Sequence, residues 1–451
     1  MFRHSFELAL RGLRRFPKST VLVVLTVALG LAACMTTLVL LHVLSADPLP
    51  GRSQHLYLAW VDTVLAKPSN GGSVDMVMNG IVTKTNAYRR IKLADAQALL
   101  SSRRAAAQAV VADMSANETS DDGRHTESWQ NVLATSTDFV PMFGVALRYG
   151  RNWNVTEEAA RAPVVLIDTD LARKLFGTEN AVGRSVKLNK TLFRVVGVFE
   201  PYAPQPRFYG LNVSAFSSDG NENLYVPYLA ALDAGLTPFD SDSCDAPAAG
   251  AKSDGDFTNP VHCSSLGFWV QLDTPKQVAD FSEYLTHYAE QQKALAGFGK
   301  KPQAQLFGVA EWLKLQNVVP QSVRLNVWLA ASFLLLCMFN VAGLLAARFL
   351  HRSAEIGIRR ALGAPRASVF MQHVLEAGAV CLVGGVMALP LTLLGLWILR
   401  HQGNEFSGLA RLDTPMFGAL FALALLVGVL VGVLPAWRAS AVEPGLQIKS
   451  D

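Results

Sequence analysis

Four stretches of this chain are long and apolar enough to cross a bilayer, and they constrain everything else it can fold into. A helix needs about 20 apolar residues to span roughly 30 Å of hydrocarbon. Val21–Leu44 contains no Asp, Glu, Lys or Arg. Val327–Leu350 is interrupted only by Asn340 and Arg348. Val374–Leu399 carries Glu376 near its start and Pro390 inside, and Met416–Trp437 has no charge. Only 17% of the 451 residues are charged and 51% are hydrophobic, whereas a soluble domain carries about 25% charged residues. The composition excludes a disordered, collagen-like or disulfide-dense chain. The first stretch is about twice as long as the apolar core of a secretory signal, which favours a span over a cleaved leader.

Basic residues orient the bundle through the positive-inside rule. Arg3, Arg11, Arg14, Arg15 and Lys18 precede the first span, and Arg348, Arg352, Arg359, Arg360 and Arg366 surround the loop between the second and third. The loop 400–415 holds only Arg400 and Arg411. The expected order is therefore an amphipathic cytoplasmic-face helix (1–17), a first span (18–46), a large outside domain (47–322), a second span (323–350), a cytoplasmic loop (351–373), a third span (374–399), a short outside loop (400–415), a fourth span (416–437) and a cytoplasmic tail (438–451). In the first element Phe2, Phe6, Ala9, Leu10, Leu13 and Phe16 share one face and Arg3, Glu7, Arg11 and Arg14 the other, the pattern of a helix lying on a membrane surface. The net charge of +4 is mostly this topological signal. It indicates contact with anionic lipid and gives no sign of nucleic-acid binding.

The outside domain is long enough for its own core and for two subdomains. Residues 92–101 predict a helix, and 107–114 a strand. Residues 162–168 predict a strand, 169–176 a helix closed by Gly177, and 185–188 with 193–199 a pair of strands about the Asn189-Lys190 turn. Residues 203–265, rich in Pro, Gly, Ser, Asp and Asn, predict long loops. A strand over 268–272 and a helix over 275–292 follow. The fold class is thus a membrane α-helical bundle of four transmembrane helices with a large α+β periplasmic domain. One part (47–125 and 266–310) is porter-like and the other (126–265) is a β-rich insert. Cys34, Cys337 and Cys381 fall within spans and Cys244 and Cys263 in the outside loops. An oxidising compartment favours a disulfide between the last two, closing a loop of about 20 residues for ~3 kcal/mol; with His262 adjacent, a metal site is the alternative.

Two stretches carry a resemblance. Ala134–Phe139, Met142–Ala146, Tyr149–Arg151, Ala162–Ile167, Leu171–Gly177, Ala181–Arg184 and Phe193–Val198 together are similar to the periplasmic core domain of MacB-type ABC transporter permeases. Residues 352–366, Arg-Ser-Ala-Glu-Ile-Gly-Ile-Arg-Arg-Ala-Leu-Gly-Ala-Pro-Arg, resemble the cytoplasmic loop of the FtsX-like permease domain, and Pro435–Arg438 with Ala441–Pro444 resemble its ending. The resemblance implies a dimer, formed with a second copy or a paralogue, that binds two ABC ATPase subunits. Closure of the ATPases on ATP would move the periplasmic domains, a process called mechanotransmission. It implies export of peptides, antibiotics or other amphiphiles from the bacterial inner membrane, with a periplasmic adaptor and an outer-membrane channel as further candidate partners. Lipoprotein release and an FtsX-like scaffold activating a periplasmic hydrolase are the alternatives.

The loop itself has a physical reading. Glu355, Ile358 and Arg359 share one helical face, and Ile356, Arg360 and Gly363 or Ala364 another; Gly363 and Pro365 stop the helix. Apolar Ile356, Ile358 and Leu362 need a membrane surface or a partner groove. The resemblance makes Glu355, Ile356, Gly357, Ile358, Arg359, Arg360, Leu362, Gly363 and Ala364 the coupling segment that meets the ATPase. The alternative is a solvated basic loop that only fixes topology. The sequence has no P-loop; the nearest match, Gly177–Ser185, has five residues between its glycines and Arg where Lys is needed. No catalytic or metal constellation and no cofactor are expected in this chain, with ATP and Mg belonging to the partner. Glu376, at the start of the third span, reads as a snorkelling or loop-contacting residue, with a proton path as the alternative.

Overall fold

The structure, a computed structural model, describes residues 17–63, 75–78, 81–84, 89–120, 128–210, 222–239, 241, 259–296, 303–350, 365–401 and 414–441. The amphipathic element expected before Pro17 lies outside them. The chain forms two units, one of Met1–Ser45 with Val319–Asp451 and one of Ala46–Val318.

Among the described residues, the first unit contains four helices of membrane-spanning length and hydropathy. They are Pro17–Leu44, Gln321–Leu350, Arg366–His401 and Thr414–Ala441. Pro17 opens the first helix, where its missing N–H would have no intrahelical partner. The third helix begins at Arg366, inside the stretch expected as loop (351–373). Nothing between Arg366 and His373 breaks a helix, and Pro365 favours a start there. Pro390 lies within this helix, a position tolerated in spans where neighbouring groups take up the freed carbonyl.

Glycines set how closely these helices pack. A Cβ on Gly384 would lie 2.7 Å from Val27 Cγ1, and one on Gly395 2.8 Å from Thr36 Oγ1, so the third span presses its backbone against the first. On another face, a Cβ on Gly385 would meet Ala424 at 2.8 Å. Gly428 and Gly432, the Gly-x-x-x-Gly pair of the fourth span, face Gly378 and Ala377 at 2.9 and 2.7 Å. Small residues let helices approach where no hydrophobic force drives them together. The third span is thereby packed between the first and the fourth.

The second unit is built on a ten-stranded mixed sheet and a separate hairpin. The strands are β1 (Leu56–Asp62), β2 (Asp75–Met78), β3 (Ile81–Lys84), β4 (Ala107–Ser120), β5 (Ser128–Thr135), β6 (Leu147–Gly150), β7 (Val164–Asp168), β8 (Ser185–Leu188), β9 (Thr191–Phe199), β10 (Leu224–Pro227), β11 (Gly267–Gln271) and β12 (Gln303–Gly308). Their order is β12-β1-β11-β4-β5-β10-β7-β9-β6, with β8 joined to β4 and β9, and β2 paired with β3. β10 runs parallel to β5 and β7 parallel to β9. Strands β12, β1, β11 and β4 occupy one end of this order and β5, β10, β7, β9 and β6 the other. The antiparallel β4–β5 ladder, from Val111↔Thr135 to Glu118↔Ser128, makes them one sheet. One hydrophobic core runs across both parts. Phe143 packs against Phe208 at 5.7 Å and Trp269 at 5.9 Å between ring centroids, tying the insert to β11.

Local chemistry explains the βαβ element. All five residues of β7 are buried, as an apolar run covered on both faces should be. Asp168 ends the strand and caps the helix Thr169–Phe176, accepting from the Leu171 N–H at 2.6 Å, and Gly177 closes that helix at φ 69°. The Asn189 turn sits at φ 53° between β8 and β9, a left-handed value that Asn tolerates. Within the stretch expected as long loops, β10 and the short helix Tyr228–Asp233 are ordered additions.

Candidate functional site: a buried charge cluster shared by the first three spans

Charges inside a membrane-spanning bundle are expensive and mark function by default. Arg348 sits in the last turn of the second span, and His373 and Glu376 share a face of the third, three residues apart. Arg348 Nη2 lies 3.3 Å from Glu376 Oε1, and His373 Nδ1 lies 3.9 Å from Glu376 Oε2. Arg348 Nη1 also reaches Thr20 Oγ1, at the start of the first span, in a long contact of 3.5 Å. The residues are 6% exposed at Arg348, 4% at His373 and 2% at Glu376. Three spans therefore meet at one ionic cluster, and Arg348 and Glu376 stand on either side of residues 351–364. Glu376 is buried and paired rather than snorkelling, because the long Arg348 side chain reaches it from the second span.

A second buried cluster lies in the globular unit. Arg207 Nη2 donates to Asp113 Oδ1 at 2.6 Å and also pairs with Glu222. Tyr209 donates to Glu222 Oε2 at 3.1 Å. Arg207 follows β9, Asp113 is on β4 and Glu222 precedes β10, so the cluster fastens the 200–210 segment to the sheet. Two further hydrogen bonds support it, Tyr202 to the Phe143 carbonyl and Trp312 to the Phe208 carbonyl, each 2.9 Å. Burial pushes the Tyr209 and Tyr225 phenols up, so both remain neutral. This arrangement locks a loop and presents no open chemistry.

Of the residues predicted for the site, Glu355, Ile356, Gly357, Ile358, Arg359, Arg360, Leu362, Gly363 and Ala364 lie outside the described residues, as does Cys244. Cys263 is buried and disulfide-bonded, while Cys34, Cys337 and Cys381 are free and buried. His55 stands 3.6 Å from Asp273 in the globular unit. Among the described residues no group of three or more His, Cys, Asp or Glu is placed to hold a metal. The Arg348–Glu376 pairing escaped the sequence reading. Its signal was two isolated charges of opposite sign at equivalent depth on consecutive spans.

Comparison with known proteins fits this architecture. Residues 20–288 match the MacB-like periplasmic core domain and residues 327–444 the FtsX-like permease C-terminal region. The macrolide export ATP-binding/permease protein MacB of Acinetobacter baylyi is 22% identical over 445 residues, covering 98% of this chain and 58% of that protein. An uncharacterized ABC transporter permease of Bacillus subtilis, YvrN, is 23% identical over 330 residues, covering 70% of this chain and 69% of that protein. The crystal structure of the periplasmic region of MacB from Actinobacillus actinomycetemcomitans aligns with a TM-score of 0.35 at 17% identity, covering 59% of this chain and 95% of that one. The chain spans about half the length of most of the curated MacB relatives it matches. The class is a four-span permease with a periplasmic-type α+β domain between the first and second spans. Within it, the chain belongs to the MacB-like, FtsX-like family of ABC transporter permeases.

Proposed function

We propose that this chain is the permease subunit of an ABC transporter, relaying ATP hydrolysis by separate ATPase subunits into motion of the Ala46–Val318 domain. The observation that carries this reading is the succession of the two matched regions along the chain, the first taking in the first span and most of the globular unit and the second running from residue 327, within the second span, to residue 444. In this reading the bundle lies in the bacterial inner membrane with both termini and residues 351–364 on the cytoplasmic side. Glu355, Arg359 and Arg360 make charged contacts with an ATPase, and Ile356, Ile358 and Leu362 enter its groove. ATP and Mg are bound there, in the partner. The second span leaves Trp328, Leu329 and Phe339 uncovered at 74, 68 and 67% exposure, a surface for lipid or for a second permease copy.

The cargo proposed is an amphiphile, peptide or antibiotic taken from the periplasmic side, in keeping with the export named for the MacB relatives. A periplasmic adaptor and an outer-membrane channel would complete the route. Cys244 is the proposed partner of Cys263, which non-reducing peptide mapping would test. The deciding experiment is purification from native membranes with associated proteins, comparing the wild type with a Glu355, Arg359 and Arg360 triple alanine variant. Loss of a bound ATPase only in the variant is expected. Equal ATPase recovery from both, or a domain 46–318 shielded from protease in spheroplasts, would overturn the reading.

A further inference from the structure

We infer that Arg348 and Glu376, with His373 and Thr20, form a brace that makes the ends of the first three spans move as one body when residues 351–364 are pushed. This rests on the reading of those residues as the ATPase contact. The geometry points to it in three ways. The segment joins the second span just past Arg348 and the third at Arg366, ten residues before Glu376, so the pair ties together the two helices that carry it. They are buried and 3.3 Å apart, so drawing the two helices apart works against their mutual attraction in a low-dielectric interior. Arg348 also reaches Thr20, bringing in the first span.

Connectivity gives the brace its use. The first span leads directly into Ala46 and the second span follows directly from Val318, so these two helices are the covalent entry and exit of the globular unit. The third span has no such connection. It is fastened to the first along its length through Gly384 against Val27 and Gly395 against Thr36. Without the ionic tie, displacement of the segment would be absorbed by rotation or fraying of the third span's first turns. With it, the displacement is shared by the two helices that continue into the domain. Arg348 and Glu376 are thus positioning residues, acting on transmission and not on ATPase docking.

A purely structural role for the pair makes a different prediction, because replacing a buried ion pair by matched apolar residues is often neutral for stability. The test uses the permease–ATPase complex in nanodiscs. Hydrogen–deuterium exchange of β4, β5 and β11 is compared between the nucleotide-free and vanadate-trapped states. The Arg348→Met/Glu376→Leu variant is expected to retain ATPase stoichiometry and a melting temperature near wild type. It should lose at least two-thirds of the nucleotide-dependent exchange difference, and the charge-reversed pair Arg348→Glu/Glu376→Arg should regain most of it. An apolar variant with the full wild-type difference would overturn the brace. Should that variant fail to assemble, Arg348→Lys, which keeps the charge but loses the two-pronged guanidinium, is expected to reduce the difference by about half; an unchanged difference there also overturns it. The triple variant at Glu355, Arg359 and Arg360 separates the two ideas. If it loses the ATPase while the Arg348/Glu376 variants behave as wild type, only the brace fails. If the wild type shows no nucleotide-dependent difference, the proposed function fails and the brace with it.

Discussion

Two glycines in the same bundle should respond in opposite ways to one added methyl group. At Gly384 a Cβ would sit 2.7 Å from Val27 Cγ1 and 3.0 Å from Val27 Cβ, whereas at Gly343 nothing lies within 4 Å. Val27 is 2% exposed and β-branched, so its helical rotamer is nearly fixed and it has nowhere to swing. Both Gly→Ala changes gain the same helix-propensity term, ~1 kcal/mol. Only Gly384→Ala meets an overpacking cost, ~1–3 kcal/mol. Because the propensity term cancels, the difference between the two variants should itself be ~1–3 kcal/mol, with Gly343→Ala at or above wild-type stability. Reversible SDS titration in mixed micelles, followed by tryptophan fluorescence, measures both. The Val27→Ala/Gly384→Ala pair moves the methyl volume across the interface and should recover ~1 kcal/mol or more as a favourable coupling energy. Equal effects at the two glycines, or no coupling with Val27, would refute close backbone contact between the first and third spans.

Three further outcomes follow from the buried charges. A double-mutant cycle on Arg348→Met and Glu376→Leu should give a coupling energy of ~3 kcal/mol, each single variant being worse than the pair because it strands one charge; a coupling below about 0.5 kcal/mol by the same titration would contradict an ion pair at 3.3 Å. Arg207→Met should destabilise the globular unit by ~3–5 kcal/mol, since Asp113 and Glu222 would remain buried without it; chemical denaturation of the full chain followed by near-UV circular dichroism reads the loss. Burial raises the Asp168 carboxyl to about 6, above its ordinary 3.8. The folded state therefore holds that proton more tightly, and the resulting stability is present below pH 3.8 and lost as pH rises through about 6. Asp168→Asn keeps a capping side chain and should remove this slope, so the stability of wild type relative to variant should fall across that window; parallel pH profiles from exchange of Thr169–Phe176 would show the assignment to be wrong.

Much of this fold was legible because its elements are punctuated. Asp168 and Gly177 bracket a helix by capping chemistry, Asn189-Lys190 marks a hairpin, and four apolar runs give four spans. What stayed hidden depended on partners distant in sequence. β1 and β12 are short runs that become strands by pairing with each other and, through β1, with β11. β10 lies in a polar-rich stretch and is held by β5 on one side and β7 on the other. Residues 47–125 and 266–310 share one sheet and one core with residues 126–265 through the β4–β5 ladder and the aromatic contacts, and no periodicity within either stretch shows that. Arg348 and Glu376 were each visible as anomalies, yet their pairing required the third span to bring Glu376 to the level of the second span's last turn.

The same reasoning bears on why the bundle carries an ionic tie where an apolar contact would hold. Along most of its length the third span is fixed by glycines against Val27, Thr36 and Ala424, contacts that are short-ranged and indifferent to which helix is pushed. Such packing resists compression but yields to sliding, since dispersion contacts can be exchanged for others at small cost. An ion pair in a low-dielectric interior depends strongly on the separation of its two charges, so its energy changes when either helix is displaced. In the proposed brace, that directional interaction ties the ends of the first three spans, while the glycine contacts fix the third span along the rest of its length. In the proposed relay, that tie makes the two helices that continue into Ala46 and from Val318 share a displacement that the third span's first turns would otherwise absorb.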